Sequence, residues 1–187
     1  MTELLDENGL GDFIDAHYRN PGDRLFRMEQ LPFYDVPHQA PELEAWRAGG
    51  EPDWTTRQPW LDALGEEKRN GLISERVRIL SPELTDDERR ACSWGYPYTS
   101  RYEDTRVLHR GEHQIPTDLL GRDYWIVADK HVVLMHYSAA GAFEGAEVLP
   151  PAQLGRFRND RDQAWRAAEP FDTWWSRHSE LHRRRAA

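Results

Sequence analysis

An α+β fold, a mostly antiparallel sheet with flanking N- and C-terminal helices, is predicted by three features of the sequence. Ile73, Val77 and Ile79 share one period-two face while Arg76 and Arg78 fall on the other, as a strand with one buried side requires. The apolar runs 123–128 and 131–137 are separated by Asp129-Lys130 alone, and strands joined so tightly pair antiparallel. After Pro150-Pro151, the residues Leu154, Phe157, Arg161, Ala164, Trp165 and Ala168 recur at helical spacing.

The elements follow in order. Residues 12–19 read as an opening helix, stopped by the turn signal Asn20-Pro21-Gly22. Residues 24–31 fit either a helix or a strand, and 33–36 a short strand. Pro32, Pro37 and Pro41 forbid one long helix here. Residues 41–48 form a helix with proline in its first turn and Gly49-Gly50 at its end. A second helix, 59–69, carries Trp60, Leu61 and Leu64 on one side and ends at Asn70-Gly71. Strand 72–80 follows. Thr85 with Glu88 three residues later is a capping box that starts a short helix up to about Cys92. Residues 105–110 are a strand and 111–121 a connector broken by Pro116. Val132, Val133, Leu134 and Met135 are apolar on both faces, which places strand 131–137 centrally. A last strand spans 142–149, and Pro170 divides the closing region into two helices.

The expected organisation is one domain over residues 1–175. An acidic helical part covers 1–53, the sheet 72–149 and the C-terminal helices 151–175, with a basic tail at 176–187. The acidic helices are expected along one edge of the sheet and the C-terminal helices behind it. The 187 residues include 39% apolar ones, with eight Trp, seven Tyr and six Phe, enough to bury a core. The net charge of −9 is concentrated at the start, where residues 1–53 hold twelve acids against four arginines. Such a body lacks the basic footprint of a nucleic-acid binder; weak phosphate contact is left to the tail with Arg177, Arg183, Arg184 and Arg185. With no apolar run long enough to span a membrane and no signal-like start, a cytoplasmic protein is expected. One cysteine, Cys92, excludes an internal disulfide framework. The chain also lacks a phosphate loop, a dinucleotide glycine fingerprint, His-Glu-x-x-His and Gly-x-Ser-x-Gly, so no cofactor is expected.

Several clusters remain as candidate chemistry. His109, His113 and Asp118, with Glu112 between them, have the donor types of a metal site, against the competing reading of solvated loop histidines. His131 and His136 flank the most apolar strand and read as satisfied core histidines. Arg76, Arg78 and Arg106 with Glu103, Asp104, Asp123 and Trp125 could line one sheet face. They would grip an anion through forked hydrogen bonds or form a ladder of ion pairs. Trp94, Tyr96 and Tyr98 are candidate interface residues if exposed.

The ordered motifs Arg76-Val77-Arg78, Glu103-Asp104-Thr105-Arg106, Asp123-Tyr124-Trp125 and Leu134-Met135-His136-Tyr137 resemble an actinobacterial family of unknown function over most of residues 25–175. Its members carry an Arg-Val-Arg strand, a Gly-Glu-Asp-Ile-Arg-like strand and an Asp-Phe-Trp hairpin. Tyr102 stands here where the family has glycine. The frequent placement of its genes beside helix-turn-helix regulators implies a non-catalytic accessory or regulatory role through a protein partner. The alternative is a small enzyme or anion-binding domain using the arginine and carboxylate face.

Overall fold

The computed structural model describes residues 4–182. Its strands are β1 (Arg24–Glu29), β2 (Ile73–Leu80), β3 (Asp104–His109), β4 (Tyr124–Val127), β5 (His131–Tyr137), β6 (Phe143–Val148) and β7 (Glu169–Pro170). They form one sheet in the order β6-β5-β4-β1-β2-β3-β7. The sheet is mixed rather than mostly antiparallel, because β1 pairs with β2 and β2 with β3 in parallel. The expectation rested on the tight joints after residue 123, and these hold: β4, β5 and β6 pair antiparallel. The earlier joints are long and helical, as parallel neighbours need. Between β1 and β2 run α2 (Ala40–Arg47) and α3 (Trp54–Arg69); between β2 and β3 run α4 (Asp86–Arg90) and α5 (Tyr96–Thr99).

Local signals explain most boundaries. The first helix, α1 (Glu7–His17), begins five residues before the expected start because Asp6 accepts a hydrogen bond from the Gly9 amide. In the same way Asp53 caps α3, leaving Pro59 inside the helix rather than at its start. The capping box of Thr85 and Glu88 opens α4, and a π-helical turn over Ala91–Gly95 carries the chain into α5. Residues 33–36 form no strand; among the described residues their backbone meets the sheet region through a single bridge, between Asp35 and Ala142. The short strand β7 had no sequence signal, and only its pairing with Arg106 and Val107 defines it.

The two faces of the sheet are covered differently. On one, α6 (Leu154–Ala167) brings Phe157 and Ala164 onto Phe26, Met28, Val77, Ile79, Leu108, Tyr124 and Ile126. On the other, α1 packs Leu10 on Leu25, Val127 and Val133. Beside it α7 (Phe171–Arg177) packs Phe171 and Trp174 on Leu80 and Val107. The acidic first helix therefore lies on a face, not along an edge, and the two closing helices back opposite faces. Among the described residues, no helix is long and apolar enough to cross a membrane.

Candidate functional site

Between the patches under α1 and α7 the second face carries a charged stripe. Alternation on β2 turns Ser74, Arg76 and Arg78 toward it, and the same alternation on β1 adds Arg27 and Glu29. Parallel register sets Arg27 beside Arg76 and Glu29 beside Arg78. Glu103, just before β3, is 3% exposed and lies 2.5 Å from an Arg27 nitrogen and 3.3 Å from Arg76 Nε. Burial alone would raise its pKa, but the two guanidinium groups bring it down to about 2. Arg76 donates twice to Glu29, at 2.7 and 2.8 Å, and lies under the Tyr96 ring at 5.6 Å. The Arg27 guanidinium stands 5.8 Å from the Trp125 ring.

The other end of the stripe is built differently. Arg78, 1% exposed, donates to the Leu31 carbonyl at 2.5 Å and the Tyr34 hydroxyl at 3.2 Å. Its nearest carboxylate, Glu88, is 3.9 Å away and already accepts from the Ser81 and Thr85 amides. Asp123 accepts from the Gln30 amide and from the Tyr34 hydroxyl, which fastens residues 30–34 over the ends of β1 and β2. Burial, helped by Glu29, lifts Asp123 to about 6, against those hydrogen bonds and Arg78.

Of the residues singled out from sequence, Arg76, Arg78, Glu103, Asp123 and Trp125 share this face. Arg106 and Asp104 do not: Thr105 is the register partner of Arg76, so Arg106 turns to the other face. There it sits 4.2 Å over the Trp165 ring and 3.7 Å from Asp104. Trp94 and Tyr96, each 6% exposed, are core residues rather than interface ones. Tyr98 is partly exposed and packs edge-on against Trp54. Cys92 is buried, and burial raises its pKa away from a reactive thiolate.

His109, His113 and Asp118 form no metal-holding group, nor does any cluster of three such donors among the described residues. The chain turns back after β3, so the His113 ring accepts from the His109 amide and faces Glu169. His109 is held between Glu112 and the Pro82 carbonyl. His131 packs on His17 and Phe13, and His136 faces Glu147 at 3.4 Å. Within the expected tail, Arg177 is tied to Glu169 at 2.5 Å, while Arg183, Arg184 and Arg185 lie outside the described residues.

Sequence reasoning missed Arg27, Glu29, Ser74 and Tyr34. Arg27 and Glu29 alternate with Phe26 and Met28 much as Arg76 and Arg78 alternate with Val77 and Ile79, so that signal was present. Tyr34 has none, because an irregular segment places it. At the other end of the stripe, where β2 and β3 begin, a groove of about 360 Å³ opens beside Ser74 and Glu103, bounded by the end of α3, the turn after α5 and the start of α7.

No curated protein matches the chain. Among solved structures it is similar to that of Nuc, a phospholipase D family member from Salmonella typhimurium. The TM-score is 0.50 at 11% identity, over 91% of this chain and 97% of that one, a likeness of fold alone. A family model described as a domain of unknown function, DUF6879, matches residues 12–176, and the chain belongs to that family.

Proposed function

We propose that this is a non-catalytic accessory protein that acts by binding another protein, with a helix-turn-helix regulator as the first candidate. The observation that carries the reading is the internal closure of the charged stripe. Arg27 and Arg76 are matched by Glu103 and Glu29, and Arg78 is engaged by Leu31 and Tyr34. An anion arriving at this face would have to displace partners already in place, and truncating one member of a buried pair is strongly destabilising. The stripe therefore reads as scaffold, and function passes to the outer surface. The test is light scattering with size exclusion of the purified protein mixed with a helix-turn-helix regulator from the same genome. Co-elution at a defined stoichiometry is expected, and two separate peaks at micromolar concentrations of both proteins would overturn the proposal.

One observation favours a second reading. A carboxyl lifted to about 6 beside a tyrosine hydroxyl and a guanidinium is poised for proton transfer near neutral pH. In that case Asp123 is the acid or base of a small enzyme. Asp123→Asn would then abolish an activity while leaving the fold and any protein complex intact.

A further inference from the structure

The groove at the starts of β2 and β3 is lined by both apolar and acidic residues. Leu72, Ile73 and Pro170 supply apolar surface, and Ile73 is one of the few large apolar residues left exposed, at 37%. Asp104 and Asp172 line it as well. Both are exposed; Asp172 accepts one hydrogen bond, from the Ser100 hydroxyl at 3.3 Å, and Asp104 has Arg106 at 3.7 Å. Glu103 lies at the floor, already matched by Arg27 and Arg76. Among the described residues, Lys68 is the one cation lining the groove, and it turns its ammonium onto the Arg101 carbonyl at 2.7 Å.

We propose that this groove is a docking site for an arginine or lysine side chain presented by a basic segment of a protein partner. The inference rests on the protein-binding reading and names the partner's chemistry. Arginine and lysine are the side chains that combine an apolar stem with a cationic head. The stem lies along Leu72, Ile73 and Pro170, and the head reaches Asp104 and Asp172. The volume is in the range of small ligand sites. A net charge of −9 favours the approach of a basic partner at low ionic strength.

The test is methyl-resolved NMR of the full chain titrated with a tri-arginine peptide, with tri-glutamate as control. Saturable shifts of the Ile73 and Leu72 methyls are expected with tri-arginine alone. They weaken about tenfold in the double variant Asp104→Lys, Asp172→Lys, and they fade as salt is raised toward roughly 1 M. The inference is overturned if the shifts map to the acidic surface of α1, or if the double variant binds equally well. It is also overturned if binding emerges only after Arg183, Arg184 and Arg185 are replaced by alanine, which would make the chain's own C-terminus the occupant. A regulator complex that survives the double substitution removes this groove alone; tri-arginine binding without any regulator complex removes the protein-binding reading alone.

Discussion

The face under α6 and the face under α1 and α7 come from the same strands, residue by alternating residue, and they are stabilised in different ways. Under α6 the contact is mostly apolar across β5, β4, β1, β2 and β3, with one buried carboxylate, Asp160, accepting from the Tyr124 hydroxyl at 2.7 Å, so shape and volume decide most of its energy. The opposite face interrupts its apolar patches with Arg27, Arg76 and Arg78 and the carboxylates that answer them. Ion pairs there need all their partners at once, because each buried charge is costly without its mate. The difference teaches that one face should tolerate reshaping within its volume, and the other should tolerate shape-preserving change only while charge is kept.

The largest expected effect breaks this contrast most directly. Glu103→Gln keeps the size of the side chain but removes the charge that answers Arg27 and Arg76. It should cost about 3–5 kcal/mol in urea unfolding. A loss below about 1 kcal/mol would show the stripe to be solvated and the contrast empty.

Acid should separate the two carboxylates of the stripe, since their shifts have opposite signs. Glu103 is depressed from 4.5 to about 2, so its contribution is complete above pH 4.5 and disappears as pH falls toward 2. Asp123 is raised from 3.8 to about 6, so the folded state holds the extra proton. Stability then falls as pH rises from about 4 to 6, by of order 1–3 kcal/mol. Unfolding curves at stepped pH should show that decline in the parent and its absence in Asp123→Asn.

On the apolar face, Ile79→Val removes one methylene from a site 1% exposed and should cost about 0.5–1.5 kcal/mol, independent of pH. The smallest effect compares arginines across the sheet. Arg106→Gln loses a stacked guanidinium over Trp165, about 0.5–1 kcal/mol by thermal or urea unfolding. A cost equal to that of Glu103→Gln would mean both faces depend on charge alike.

Much of this architecture was legible in the chain. The alternation of Arg76 and Arg78 with Val77 and Ile79 fixed which side of β2 is charged, and Asp129-Lys130 fixed the β4–β5 joint. Neither signal reports which strands lie next to each other. Pairing of β1 with β2 is a long-range choice across some forty intervening residues, and only the register of β2 with β3 shows that Arg106 must turn away from Arg76. The aromatic run 94–98 misled for a related reason: a π-helical turn swings Trp94 and Tyr96 inward, and turns of that kind carry no clear compositional mark.

The long excursions that separate β1, β2 and β3 also set the order in which the chain can assemble. The ribbon from Tyr124 to Val148 closes over neighbours a few residues apart, whereas the central pair must wait for distant segments to meet, with the loop-closure entropy that entails. Refolding from denaturant should therefore show early amide protection in that ribbon and late protection in Arg24–Glu29 and Ile73–Leu80. The middle of the sheet would be the last part of the molecule to become itself.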